Sequence, residues 1–276
     1  MTIKELPKIG LGTWKLKPKQ ATFSVIEAIK IGYRFIDTAQ AYGNEAGVGG
    51  GLSEVLNSGI VKRDEIFVAT KVHPTKVKPK SAYNSTLESL KKLQLDFLDL
   101  IYVHYPAFAL GYDHKETLNA LSKLVDEGKV HHIGISNFTV NMIEEAIKAC
   151  NKPIFACQLE LHPYLHQNEL LEYLKKKNIH IISYSPLGRG NVLHDPIIIE
   201  IAKKNKISTA QVSLAWIMSK GTIPIPKATT IEHLKDNYAT KDIILPKEDL
   251  DQIDGIKTTK RFVHPPFVSP KEWKRK

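Results

Sequence analysis

Cysteine is scarce in this chain: Cys150 and Cys157 are the only two among 276 residues. Two thiols make no disulfide framework, and neither has a neighbour at metal-ligand spacing, so no bound metal is expected. No apolar run approaches the ~20 residues that cross a bilayer. The stretch from Met1 to Gly10 carries Lys4, Glu5, Pro7 and Lys8 where a secretory leader would be apolar. A cytoplasmic protein with no membrane association is the expectation. Also missing is the G-x-G-x-x-G turn of an open dinucleotide-binding sheet. The one Gly-rich run, Gly47-Val48-Gly49-Gly50-Gly51, does not match it and lacks a P-loop Lys-Ser/Thr. It reads as close packing at the start of a helix. Zinc-finger spacings and aromatic RNA-binding motifs are absent too, which bears on the charge. Lys and Arg number 39 against 29 Asp and Glu, a net charge of +10. The lysines are spread over helix-like segments such as Lys175–Lys177 and Lys203–Lys204 and over the tail. That pattern reads as solvated faces and a field attractive to anionic ligands, with no nucleic-acid partner.

What is present is an alternation. Short β-branched or apolar runs begin near Ile9, Arg34, Ile66, Leu98, His131, Phe155, His180 and Thr222, with helical patterns between them. Runs such as Leu98 to Val103 and Ile179 to Ile182 show little in–out alternation, as strands covered on both faces do. Helix signals fill the gaps. Thr117 to Val125 puts Leu118, Leu121, Leu124 and Val125 on one face before Gly128. Ser208 with Gln211 forms a capping box, and Asn168 is placed to cap a helix carrying Leu170, Leu171 and Leu174. Nothing resembling a linker interrupts the series. Eight βα units in one domain over residues 1–276 argue for a (β/α)8 TIM barrel of the α/β class, with a doubly wound open sheet as the alternative.

Barrels of this kind carry their chemistry where the strands end. The strand ends here hold Asp37, Lys71 and His104 on three successive strands, with Tyr42 in the loop after the second. Ionisable groups at the ends of apolar strands are costly unless paired. Singly, each has an ordinary structural reading: a turn former, a solvated charge, a satisfied imidazole, a packed ring. Jointly they form a proton-donating site. A phenol is a poor acid at neutral pH. A buried lysine held by a carboxylate stabilises the phenolate and lowers that pKa, and an imidazole orients a carbonyl oxygen.

The segments Phe35 to Gly43 (FIDTAQAYG), Thr70-Lys71, Asp99 to Pro106 (DLIYVHYP), Ile133 to Phe138 (IGISNF), Gln158 to Tyr164 (QLELHPY) and Tyr184 to Gly190 (YSPLGRG) together resemble the aldo-keto reductases. The resemblance runs in order from Gly10 to about Asn237. It is similar in its short loops and brief tail to the prokaryotic-type 2,5-diketo-D-gluconate reductases and their relatives. It implies a nicotinamide-dependent oxidoreductase that reduces small aldehydes or ketones: sugars, 2-oxoaldehydes or diketones. Tyr42 would be the general acid, Lys71 and Asp37 its tuning pair, and His104 the group that orients the carbonyl. Ser136, Asn137 and Gln158 would hold the nicotinamide carboxamide, with Tyr184 stacked on the ring. Thr13, Ser185 and Leu187 would line the cofactor's path, and Lys227, Thr229 and Asn237 would receive its adenosine end. Trp14, His73 and Tyr105 would wall the substrate pocket.

Two departures from the family pattern matter. Ala228 and His233 stand where Ser and Arg are usual near the 2′-phosphate, leaving Lys227 as the cation carried over. NADP(H) is expected, with NAD(H) use possible in addition. His73 and Tyr105 replace frequent tryptophans, so the pocket rim is expected to be more polar. A catalytically idle family member and a barrel enzyme of another class are the competing readings. The first would have been favoured by loss of Tyr42 or Lys71, and the second leaves the Ser136-Asn137-Gln158-Tyr184 set unexplained. A monomer is the expected state.

Overall fold

The computed structural model describes residues 6–270 and Trp273. Eight parallel strands follow one another in chain order round a single sheet. They are β1 (Leu11–Gly12), β2 (Phe35–Asp37), β3 (Phe67–Val72), β4 (Leu98–Val103), β5 (Val130–Ser136), β6 (Ile154–Glu160), β7 (His180–Tyr184) and β8 (Ile223–Pro224). The ring closes where the Gly10 and Gly12 N–H groups donate to Pro224 O and Pro226 O at 3.0 and 3.1 Å. A Cβ on Gly12 would sit 2.5 Å from the Ile225 carbonyl oxygen, so this approach demands glycine. The architecture is the (β/α)8 barrel expected from the alternation, and the open sheet is excluded.

Helices wrap the outside: α1 (Pro18–Ile31), α2 (Glu45–Asn57), α3 (Pro79–Leu93), α4 (His114–Asp126), α5 (Val140–Ala149), α6 (Asn168–Lys176), α7 (Pro196–Asn205), α8 (Thr209–Ser219), α9 (Ile231–Ala239) and α10 (Lys247–Asp254). α7 is an extra helix between β7 and α8. None among the described residues is long and apolar enough to cross a membrane.

The sequence explains these elements locally. Ser208 Oγ accepts from the Gln211 N–H while Gln211 Oε1 accepts from the Ser208 N–H, both at 3.0 Å, starting α8. Gly128 has φ +68° just past α4, as its placement suggested. Asn168 is a correction: it is the first residue of α6, and the preceding Gln167, with φ +51°, occupies the cap position. The glycines of α2 do serve packing. A Cβ on Gly47 would lie 2.2 Å from Pro18 O, and one on Gly49 2.3 Å from Lys92 O, so α1 and α3 reach the α2 backbone itself.

Two apolar layers result. Phe35, Phe67, Ala69, Leu100, Tyr102, Ala156, Ile182 and Ile225 fill the barrel interior, and a larger cluster joins the outer strand faces to the helices. At the floor of the barrel His132 stacks on Phe155, with ring centroids 4.0 Å apart and 14° between planes. His180 lies on the other side of Phe155 at 4.6 Å. The interior is therefore solid from its floor up to the strand ends, where the polar side chains begin.

Candidate active site

Register sets the first layer of chemistry. Asp37 ends β2, Lys71 is the penultimate residue of β3, and β3 is β2's neighbour in the sheet. Both side chains are buried, and Lys71 Nζ lies 2.5 Å from Asp37 Oδ1. The ammonium also donates to Thr38 O at 2.8 Å and to Tyr42 Oη at 3.4 Å. Three acceptors match its three protons, so the charge is compensated rather than stranded. Gln158, from β6 across the barrel, donates to the other Asp37 oxygen at 2.7 Å.

Tyr42 ends a short 3-10 turn, Gln40–Tyr42, immediately after β2. Gln40 pins that turn. Its amide donates to Ser85 O and Ser89 Oγ at 3.0 and 3.1 Å, and its oxygen accepts from the His73 N–H at 2.9 Å. Burial, then the nearby Asp37 charge, holds the Tyr42 phenol well above its usual pKa. This corrects the expectation of a lowered value: in the resting site Tyr42 is firmly protonated, which is the form a proton donor needs. Burial draws Lys71 down and Asp37 up, and their contact opposes both shifts.

His104 follows β4. Its ring meets that of Tyr42 nearly at right angles, 78° with 5.9 Å between centroids. Burial first, then the Lys71 charge, depresses the imidazole well below its usual range, so it is neutral at pH 7. Its Nδ1 is buried without a hydrogen-bond partner among the described residues, as is Tyr102 Oη below.

A second network lies beside the first. Tyr184, ending β7, donates to Asn137 Oδ1 at 2.6 Å. The Asn137 amide donates to His104 O at 2.9 Å and to Ser136 Oγ at 3.0 Å. Asn137 has φ +66°, a left-handed conformation that Asn tolerates better than most residues, and this aims its carboxamide sideways along the strand ends.

One cleft of about 740 Å³ spans these groups. Tyr42, His104, Asn137, Gln158 and Tyr184 line it, and so do Asp37, Thr13, Trp14, Tyr105, Ser185, Leu187 and, in the loop after β8, Lys227. Lys71 and Ser136 are buried next to lining residues and do not themselves face the cleft. Thr229 and Asn237 lie off it, and Asn237 is buried on α9. His73 is also off the lining: its Nδ1 is engaged by the Thr75 hydroxyl at 2.8 Å, capping the turn that follows β3. Within the Lys227 loop region, Asp236 is already committed, accepting from Ser208 Oγ at 2.6 Å, and His233 is exposed.

Other lining groups were given no role by the sequence reading. Lys15 and Arg189 both stand over the Trp14 ring, 4.6 and 4.9 Å from its centroid. Arg189 sits between two glycines at a kink, with φ +54°, and the Gly-Arg-Gly pattern was the available clue. Phe262, Val263, His264 and Pro265 form a further wall. That segment is irregular, so no periodicity could reveal it.

Known proteins resemble this chain over most of its length. The model of the Aldo/keto reductase family matches residues 8–258. The glyoxal reductase of Bacillus subtilis is 40% identical over 263 residues, covering 93% of this chain and 91% of its own. The methylglyoxal reductase DkgB of Salmonella typhi is 38% identical over 266 residues, covering 96% and 98%. The structure of the aldose reductase from Schistosoma japonicum superposes with a TM-score of 0.89 at 32% identity, covering 96% of this chain and 93% of that one.

Proposed function

Because this chain belongs to the aldo/keto reductase family, whose members are oxidoreductases acting on carbonyls, we propose that it reduces small aldehydes and ketones with NADPH, Tyr42 giving the proton. The observation that carries this reading is the Lys71 ammonium lying between Asp37 Oδ1 and Tyr42 Oη, at 2.5 and 3.4 Å, at the edge of a cleft that His104 also lines. The glyoxal- and methylglyoxal-reducing relatives make 2-oxoaldehydes the first substrates to try, with aldoses and diketones beside them.

The donor set of the cleft fits a nicotinamide dinucleotide. Asn137 and Gln158 offer carboxamides, with Ser136 Oγ beside them, at the Tyr42 end. Tyr184 offers a ring face there, and Lys227 supplies a cation in the region assigned to the adenosine 2′-phosphate. A bound reduced nicotinamide supplies the hydride. The chain's own groups manage the oxygen. Neutral His104 orients the carbonyl, and Tyr42 Oη hands its proton to the oxygen as negative charge grows there. The phenolate left behind is stabilised by Lys71, which Asp37 and Thr38 O hold in place, Asp37 being held in turn by Gln158. Resting protonation of Tyr42 and full compensation of Lys71 are both conditions for that transfer.

The test is loss of absorbance at 340 nm with NADPH, and separately NADH, across methylglyoxal, aldoses and diketones, in the parent and in Tyr42→Phe. Turnover with at least one carbonyl class, abolished in the variant, is expected. A parent that reduces none of them overturns the reading.

A further inference from the structure

We propose that Glu160 is a positioning residue for substrate selection: it anchors residues 262–265 as one wall of the cleft. This rests on the carbonyl reductase reading for what the wall selects, though not for the anchor itself.

Glu160 is the last residue of β6, two residues beyond Gln158, and is fully buried. A buried carboxylate persists only where donors converge on it. Here two of the donors are consecutive backbone amides of the distant tail: Phe262 N–H at 2.8 Å on one oxygen and Val263 N–H at 3.1 Å on the other. His162, also fully buried, completes the set. Its Nδ1 accepts from the Tyr164 N–H at 3.3 Å, so the ring proton is on Nε2, which donates to Glu160 at 3.0 Å. The guanidinium of Arg261 stands near the carboxylate, its Nη1 3.9 Å from Glu160 Oε2. Arg261 in turn donates to Gln167 Oε1 at 3.0 Å, and the Gln167 amide donates to Glu160 O. The Lys260 N–H donates to Tyr164 O at 2.8 Å.

The hydrogen bonds of residues 260–263 thus run to the end of β6 and the loop that follows it, chiefly to a single side chain, while the Phe262 ring packs against the core beside His162 and Gly188. Among the described residues, no helix or strand after α10 shares the burden. The four residues held this way, or immediately after it, are those that line the cleft: Phe262, Val263, His264 and Pro265. Charge-assisted bonds to paired amides fix both position and rotation of a peptide segment. Moving Glu160 therefore moves the wall, while Tyr42, His104 and Lys227, carried by other elements, stay where they are. A small carbonyl compound held at Tyr42 does not need the wall; a bulky apolar one does.

Glu160→Gln keeps the volume and replaces one acceptor oxygen by an amide that faces an amide donor. The expected result is a KM for a bulky aldehyde such as 4-nitrobenzaldehyde raised ~10-fold, with kcat, the KM for methylglyoxal and the Kd for NADPH each within about 2-fold of the parent. Trypsin should cut after Lys260 or Arg261 at least ~10-fold faster in the variant. In the unmodified protein, hydrogen exchange at the Phe262 and Val263 amides should be slow, comparable to β6 itself. Random-coil exchange there, or equal KM changes for both aldehydes, or an unchanged tryptic rate, would overturn the proposal. The exchange and trypsin measurements need no turnover, so a parent inactive toward every carbonyl overturns the functional reading alone and leaves the anchor decided.

Discussion

Gln158 holds Asp37 by a 2.7 Å hydrogen bond from its side-chain amide, joining two residues 121 positions apart across the barrel mouth. The residue assigned by resemblance to the cofactor is thereby also part of the scaffold of the proton donor. Gln158→Leu leaves a buried carboxylate oxygen without its donor. Stability should fall by about 1–3 kcal/mol, read from urea unfolding, together with weaker NADPH binding. Unchanged stability would mean that Asp37 has another donor in solution.

Tyr42→Phe deletes one hydroxyl. NADPH affinity, measured by fluorescence quenching, should stay near that of the parent, while turnover falls at least ~100-fold, the scale of general acid catalysis. Retained turnover would point to another proton source.

Lys71→Met strands Asp37 in the interior, and loss of one partner of a buried pair costs about 3–5 kcal/mol. Adding Asp37→Asn should return much of that stability without returning activity. Independent, additive losses in the two single variants would contradict the pairing seen at 2.5 Å.

The histidines packed around Phe155 make stability depend on pH. Burial lowers His132 and His180, with the His131 charge adding to the effect on His132 and Asp99 opposing it. A folded-state pKa below the unfolded value near 6.5 means that the unfolded chain binds protons first as pH falls. Their full contribution is therefore present above pH 6.5 and is lost as pH drops through the folded values. The urea midpoint should be lower at pH 5.5 than at pH 7.5, and His132→Phe, stacked on Phe155, should reduce the difference. An identical slope in the variant would remove His132 from the account.

Lys227 is exposed and lines the cleft in the region assigned to the 2′-phosphate. A charge-assisted bond from it is worth roughly 1.5–3 kcal/mol, so NADPH should bind about 10–100-fold more tightly than NADH. Lys227→Ala should erase most of that ratio, and His233→Arg should enlarge it. Equal Kd values in the parent, indifferent to Lys227→Ala, would show that this loop does not read the phosphate.

The parts of this molecule that were legible in its sequence are those governed by pattern. Continuous apolar runs such as Leu98 to Val103 announced strands covered on both faces, and Lys71 and Asp37 stood out because a charge closing such a run needs a partner. The Ser208–Gln211 box is a purely local rule and appears as read. Three-dimensional context hid the rest. Whether the Tyr42 phenol is raised or lowered depends on how deeply its loop is packed. The bond between the His73 ring and the Thr75 hydroxyl likewise forms only once the turn after β3 is folded. The wall at 262–265 leaves no trace of its own, because its partners lie about a hundred residues away at Glu160 and it follows no period.

The strands that close the ring are its shortest, two residues each, and only two hydrogen bonds join Gly10 and Gly12 to Pro224 and Pro226. This is the seam of the cylinder, where the first βα unit meets the last. The cleft lies across it, with Thr13 and Trp14 on one lip and Pro226 and Lys227 on the other. Any molecule that fills the cleft stitches the two lips together, so occupancy and closure of the barrel reinforce each other. Amides along that suture should be the first in the barrel to exchange with solvent when the cleft is empty, and the ones most slowed when it is full.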